Sequence, residues 1–289
     1  MKSFEFFEAP TIDSALSALD ADDSQIRPQA GGTALMLMMK SGVYQPSKLV
    51  SLRGIEQLRS IRVNKAGELI MGSMTSLSDL EHSELVHSHA PVICEAMKRL
   101  ANVRVRNTAR LGGALAHGDP HMDLPPLLSA LGASVTAVSK KGSRTIAVID
   151  LYKGYYETAL HADELIEEVC IPNLEGSHCA YMKCTTRSAE DWPALGVAVK
   201  FNLVKDHLQD VHIVLGSIGE VPMKMKKVEA LLEGKHATNE TFDSACELAY
   251  SLVEPLGDAL GSAEYKKELV KVYLKRALLQ AMNNEGAVK

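Results

Sequence analysis

The chain has 289 residues, of which 46% are hydrophobic and 23% charged. That composition excludes a disordered chain and, at roughly 150 residues per domain, leaves material for about two domains. A net charge of -5, a pI near 6.1 and only 5% aromatic residues argue against nucleic acid as a partner and against a base-stacking platform.

The first residues carry acids at Glu5, Glu8 and Asp13. A secretory leader needs a basic start and an unbroken apolar run, so the expectation is a cytoplasmic chain without one. No apolar stretch approaches the roughly 20 residues that span a bilayer. Ile12, Ala15, Leu16 and Leu19 fall on one helical face behind Thr11, a good N-cap. Residues 25–30 read as a strand, Gly31-Gly32 as a tight turn, and TALMLMMK as a helix closed by Gly42. A strand is expected over 48–52, and a hairpin is formed by Ile61 and Val63, the turn NKAGE and residues 69–71. Residues 75–85 and 91–100 predict two helices, the second opened by Pro91.

Residues 102–123, NVRVRNTARLGGALAHGDPHMD, follow neither a helical nor a strand period and read as a long functional loop. A short helix over 124–131 ends at Gly132, and residues 134–138 and 145–149 flank KKGSR as a second hairpin. Pro172 and the polar run NLEGSH mark a boundary, dividing the chain into domains 1–175 and 176–289. Beyond it, strands at 180–183, 195–203 and 211–215 precede helices at 228–232, 242–252 and 265–282, an α+β order. In the last helix Leu269, Val272, Tyr273, Ala277, Leu278 and Ala281 line one face.

The chemistry lies in two glycine loops, Pro28 to Leu35 and the segment around Gly112-Gly113. A Gly-Gly pair opens backbone conformations closed to other residues and removes the Cβ atoms that would block a ligand. Successive N–H groups then cradle an anion, and in the first loop a helix begins at once, adding its positive end. Two such loops are able to hold a diphosphate between them. Neither is a GxGxxG fingerprint or a Walker A motif. His117 and His121 stand four apart with Asp119 and Asp123, but Pro120 prevents the continuous helix that would align them, and no metal site is expected. Arg104, Arg106 and Arg110 read as a solvated or partner-facing edge. The five cysteines form no CxxC pair, so reduced thiols and no iron–sulfur cluster in this chain are expected.

AGGTALMLMMKSG and RNTARLGGALAHGDPHMDLPPLLSALGA resemble the two FAD loops of the medium subunits of the xanthine dehydrogenase and carbon monoxide dehydrogenase (molybdenum hydroxylase) family. KGYYETALHADELIEEVCIP, YMKCTTRSAEDWPALGVAV, VPMKMKKVEALLEG and YKKELVKVYLKRAL continue the resemblance, in order, over essentially the whole chain. It implies an α+β fold in two domains: a vanillyl-alcohol-oxidase/PCMH-like FAD domain of the molybdopterin dehydrogenase type and a CO-dehydrogenase flavoprotein C-terminal domain.

The resemblance also implies an FAD site. Pro28, Gln29, Ala30, Gly31, Gly32, Thr33, Ala34 and Leu35 would wrap the pyrophosphate from one side. Arg110, Leu111, Gly112, Gly113 and Ala114 would wrap it from the other. Ala34, Arg110 and Ala114 depart from the family pattern, weakening side-chain contacts but not the backbone cradle, and Arg110 adds a charge toward the diphosphate. Asp123 matches an aspartate that hydrogen-bonds the adenosine part of FAD, and it also stands where an N-cap would. Leu100 and Ile166 match apolar cofactor contacts, Lys183 a lysine near the flavin ring, and Trp192 lies in the segment beside that ring, with packing between domains as its alternative. Without the family, Lys183 reads as an exposed strand lysine.

By the same resemblance the chain is an electron-transfer subunit with no catalytic acid–base pair of its own. Molybdopterin on a large subunit and two [2Fe-2S] clusters on a small one would deliver electrons to FAD, in a dimer of heterotrimers, with NAD, a quinone or another carrier as acceptor. Two alternatives stay open: a self-contained flavin reductase or oxidase, and a flavin-free assembly scaffold.

Overall fold

The computed structural model describes residues 2–284. Its first layer is a parallel sheet of β1 (Glu5–Glu8), β2 (Ile26–Gln29) and β3 (Lys48–Ser51), in the order β1-β3-β2. Parallel neighbours need crossovers. Helices α1 (Ile12–Ala18) and α2 (Thr33–Ser41) supply them. Thr11 caps α1 as expected, its hydroxyl accepting the Ser14 N–H. Gly32 and Gly42 bound α2, both in the left-handed region at φ 74° and 78°.

The second layer is an antiparallel sheet of five strands in the order β4-β5-β10-β6-β7. They are β4 (Ile61–Val63), β5 (Leu69–Gly72), β6 (Ser134–Ser139), β7 (Gly142–Ala147) and β10 (Leu165–Ile171), while β8 (Tyr152–Gly154) and β9 (Glu157–Thr158) form a small separate ribbon. Between β5 and β6 run six short helices: α3 (Leu77–His82), α4 (Glu84–His89), α5 (Pro91–Met97), α6 (Val103–Thr108), α7 (Leu111–Ala116) and α8 (Leu124–Ala130). They share one hydrophobic core with the sheet.

Two expectations change here. The helix read over 75–85 is two helices, because Ser83 leaves helical geometry and its hydroxyl caps α4 through the Val86 N–H. The stretch 102–123 is not one irregular loop, for α6 and α7 lie inside it. Each spans less than two turns, too short to print a 3.6-residue period, and α6 is held by the Asn102 side chain accepting the Val105 N–H.

The third layer is a meander of β11 (Ser177–Cys184), β12 (Leu195–Val204), β13 (His207–Gly216) and β14 (Met223–Lys224). On one face lie α9 (Lys226–Leu232), α10 (Asn239–Leu252) and α11 (Ala263–Asn283), enclosing Val197, Val199, Phe201, Ile213 and Leu215. On the other face sits α8, whose Ala130 packs on Ala198 and Val214. Covered on both sides, β12 is buried from Leu195 to Phe201, which is why its sequence runs apolar from Leu195 to Val199 without alternating; the buried Lys200 that follows is paired with Asp210. The approach of α8 is close: a Cβ on Gly216 would stand 2.7 Å from the ring of Pro126. On α11, Val272 is 42% exposed and leaves the expected apolar face; Val270 and Leu274 take that place. No helix among the described residues is long and apolar enough to cross a membrane.

Candidate cofactor site

The two glycine loops meet. β2 delivers Ala30-Gly31-Gly32 to the start of α2, and a Cβ on Gly31 would stand 2.2 Å from the Thr108 carbonyl oxygen, just before α7. A Cβ on Gly113 would stand 3.0 Å from the Ala30 methyl, and one on Gly112 2.5 Å from the Ser73 Cβ. Side chains at Gly31 or Gly112 would force the segments apart. Pro28 to Leu35 are all half-buried, so the first loop keeps an open side.

The amides divide unevenly. Those of Gly31, Gly32, Thr33, Ala34 and Leu35 have no acceptor among the described residues, and the last three form the first turn of α2, where N–H groups lack intrahelical partners. In the second loop the expectation of a full backbone cradle changes. The Leu111 N–H donates to the Thr75 carbonyl at 3.0 Å, that of Gly112 to Ser73 at 2.8 Å, and that of Ala114 to Arg110 at 2.9 Å. The turn after β5 takes two of these donors, and Gly113 alone of the four keeps an amide without an acceptor among the described residues. Arg110 joins Ser76 through an isolated bridge.

Charge gathers at this place. Arg110 is held below the ordinary guanidinium range by burial and then by the charge of Arg59, with Arg53 adding to it against the opposing pull of Asp79. Arg59 donates to the Arg53 carbonyl at 2.6 Å, and Arg53 follows Leu52, whose N–H donates to Gln29 at the end of β2. The half-buried Arg110 thus sits in the field of two exposed guanidinium groups, and an anion beside it would relieve that repulsion. Arg53 and Arg59 were not singled out from the sequence, since LRG and LRS belong to no motif and only the fold brings them to Arg110. Nor were Ser73 and Thr75, whose hydroxyl oxygens are buried without a partner among the described residues.

A second group forms where α8 meets β11. Asp123 stands just before α8 but makes no side-chain cap; its carboxylate accepts from Lys183 Nζ at 3.0 Å and from the Tyr181 hydroxyl at 2.8 Å. Lys183 also donates to the Arg99 carbonyl at 3.1 Å. Lys183 is thus not an exposed strand lysine: the side chains of the pair are only 3% and 8% exposed. Burial pushes the Asp123 carboxyl up, with Lys183 and Tyr181 pulling against it. Among the described residues no hydrogen bond or ion pair joins Asp123 or Lys183 to either glycine loop. Leu100 and Ile166 lie in the core beneath the five-stranded sheet, and Leu100 follows the Arg99 carbonyl that Lys183 holds. A cleft of about 470 Å³ opens beside this group, lined among others by Pro91, Arg99, Cys179, Tyr181, Lys183 and Asn284.

The remaining candidates separate. Arg106 is buried, bound to Glu81 at 2.8 Å and to the carbonyls of Leu100 and Ala101, so it braces α6 instead of sharing an edge with the exposed Arg104. His117 meets the edge of Tyr156, and burial lowers its imidazole below the ordinary value. His121 lies between Asp119 and Asp258, stacked on Trp192. Among the described residues no three His, Cys, Asp or Glu side chains gather as a metal site would require. The five cysteines are free, and burial lifts Cys179 and Cys246 to about 12.

Comparison with known proteins bears directly on this arrangement. Residues 2–174 match the family described as the FAD binding domain in molybdopterin dehydrogenase, and residues 180–281 match the CO dehydrogenase flavoprotein C-terminal domain. The chain is 31% identical over 276 residues to the carbon monoxide dehydrogenase medium chain of Hydrogenophaga pseudoflava, covering 95% of this chain and 96% of that one. It is 29% identical over 274 residues to the glyceraldehyde dehydrogenase medium chain of Sulfolobus acidocaldarius, with 95% and 96% covered. Among solved structures, it superposes on carbon monoxide dehydrogenase from Hydrogenophaga pseudoflava with a TM-score of 0.94, 32% identity and 98% of both chains covered. Quinoline 2-oxidoreductase from Pseudomonas putida 86 gives 0.91 at 29% identity, with 98% and 99% covered.

Proposed function

This chain belongs to the FAD-binding medium subunits of the molybdenum hydroxylases, and on that premise we propose how its own residues hold the cofactor and where its electrons go. The loops fit a dinucleotide diphosphate: Gly31 leaves no room for a side chain, five successive amides from Gly31 to Leu35 are open, and Arg59 and Arg53 lie close enough to add to the burial that holds Arg110 below its ordinary range. In our reading Gly31 to Leu35 and Gly113 donate to the diphosphate, and the arginines neutralise it. Pro28, Gln29 and Ala30 set the entry of the loop. Leu111, Gly112 and Ala114 act as its scaffold, their amides already engaged. No side chain at Ala34 or Ala114 is needed for this.

Bound FAD supplies a flavin that takes electrons singly and releases two together. This chain's residues bind, orient and shield it. The 3.0 Å contact between Asp123 and Lys183 joins the residue expected at the adenosine to the one expected at the flavin ring, so we move Asp123 from the adenosine and assign it, with Tyr181 and Lys183, to a buried charge group at the flavin end of the site, Leu100 and Ile166 to its apolar wall, and Trp192 to its cover. Lys183 there favours negative charge on a nearby ring. We assign residues 1–175 to cofactor binding and 176–289 to covering it.

The chain is the medium subunit of a multi-subunit oxidoreductase whose substrate chemistry lies on a partner. We infer a large molybdopterin subunit and a small subunit with two [2Fe-2S] clusters, assembled as a dimer of heterotrimers, with NAD, a quinone or another carrier as acceptor. Five free cysteines are in keeping with a cytoplasmic setting.

The observation that carries this reading is the contact of the two glycine loops beside open amides and clustered arginines. Its test is flavin retention. The chain, mixed with FAD and dialysed, should keep about one flavin per chain, released by acid and seen in its visible spectrum. Failure to retain flavin both alone and in complex with its partner subunits would overturn the assignment.

A further inference from the structure

Trp192 is the only tryptophan in the chain, and it is 55% exposed. Its ring lies parallel to that of His121, with centroids 5.7 Å apart and 9° between planes. His121 is held from both sides. Nδ1 stands 3.0 Å from the Asp119 carboxylate, and Nε2 stands 3.2 Å from the Asp258 carboxylate. The His121 backbone N–H also donates to Asp119.

Both ring nitrogens therefore face acceptors. A neutral imidazole carries one N–H and would turn a lone pair toward the second carboxylate; the imidazolium carries two and satisfies both. The charged groups around it favour that form. Asp119 is 2% exposed, and its other oxygen accepts from the hydroxyl of Tyr156, whose ring meets that of His117 edge-on. Asp258 also accepts from Lys266, a lysine 1% exposed that donates in turn to the Ser217 carbonyl. Lys266 opposes the imidazolium from behind Asp258, while Arg187 and Asp191 form a pair on the Trp192 loop itself. A cation within about 6 Å of a ring face is drawn to it, so the indole gains from a charged His121.

These residues come from both halves of the chain. Asp119 and His121 follow α7, Trp192 lies between β11 and β12, and Asp258 precedes α11. We propose that His121 is a positioning residue: as an imidazolium clamped between Asp119 and Asp258 it seats Trp192 and its loop on the seam between the two halves, and deprotonation unseats them. This deepens, and for its consequence rests on, the assignment of Trp192 as cover of the flavin. Position of the cover then varies with pH, while the diphosphate cradle does not.

The two carboxylates raise His121 above its ordinary 6.5. The seating is complete below that value and is lost as pH rises through the raised one. The test uses the flavin-free full chain. An imidazolium in face contact quenches indole emission more strongly than a neutral ring, so Trp192 emission should rise with a single step whose midpoint lies above 6.5. Acrylamide access to Trp192 should rise through the same step. In His121→Gln the step should vanish. In Asp258→Asn the midpoint should fall by about one unit, a roughly tenfold loss of proton affinity. Emission that is flat with pH, or an Asp258→Asn midpoint equal to that of the native chain, overturns the proposal whether or not His121→Gln folds. Flavin retention is scored separately. A native step in a chain that never binds flavin leaves the clamp standing and removes the flavin assignment; flat emission with flavin retained does the reverse.

Discussion

Gly31 and Thr108 touch through backbone alone: the place where a Cβ would sit on the glycine is 2.2 Å from the threonine carbonyl oxygen. The first glycine loop is therefore fixed to the second by an absent side chain. Gly31→Ala must displace backbone on one side, at about 1–3 kcal/mol for overpacking. We expect FAD affinity to fall roughly tenfold or more, with a lower thermal midpoint. Flavin titration and thermal unfolding measure both, and unchanged affinity would show that the loops hold no diphosphate between them.

The glycines of the second loop should rank. A methyl at Gly112 would meet Ser73 at 2.5 Å, and one at Gly113 would meet only the Ala30 methyl at 3.0 Å. Gly112→Ala should lower stability by about 1–3 kcal/mol, and Gly113→Ala by less. Gly113 also holds the open amide, so the smaller loss of stability should come with the clearer loss of flavin. Denaturant titration with and without FAD separates the two.

Arg110 is depressed by burial and by two other guanidinium groups, so an arriving anion should improve its environment. Arg110→Gln should weaken FAD binding by roughly tenfold, in the range of one charge-assisted hydrogen bond. The loss should shrink as salt rises. The slope of log Kd against log salt, compared between native and variant chains, reads this directly.

The buried pair predicts non-additivity. Asp123→Asn leaves Lys183 charged and unmatched, and Lys183→Met leaves Asp123 likewise; each should cost about 3–5 kcal/mol. The double variant should cost well under the sum. Additive losses in urea unfolding would mean that the two do not act as a unit.

Arg144 grips Glu164 with two hydrogen bonds, both 2.7 Å, and the His161 N–H adds a third. Burial alone would raise this carboxyl, but these partners outweigh it and hold Glu164 below its ordinary 4.5. A carboxylate so lowered contributes stability above its unfolded value, and the contribution disappears as pH falls through the folded one. Glu164→Gln should flatten the acid limb of stability. Asp119 and Asp258, also held low, should keep part of that slope.

Much of this was legible from residue order. Gly32 and Gly42 bracket a helix because each sits at positive φ where the chain enters or leaves α2, and that geometry leaves a readable mark. Thr11, Pro91 and Gly132 likewise act on their immediate neighbours. The site was less legible where its parts are distant. Asp123 and Lys183 are sixty positions apart, and only the seating of α8 on the β11–β14 sheet joins them. The engagement of the Leu111 and Gly112 amides depends on Ser73 and Thr75, nearly forty residues upstream, and no local pattern announces it. α6 and α7 escaped because a helix of six residues is held by its caps and contacts more than by a periodic face.

The strand order of the five-stranded sheet also bears on how the chain is made. β10 lies in the middle, between β5 and β6, yet it is the last of the five in sequence. On the ribosome, the β4–β5 and β6–β7 hairpins emerge first, each with an open edge that only residues 165–171 close. A nascent chain stalled before Leu165 therefore exposes two unpaired edges and the apolar face they should cover, the kind of surface that chaperones bind and that aggregates when they do not.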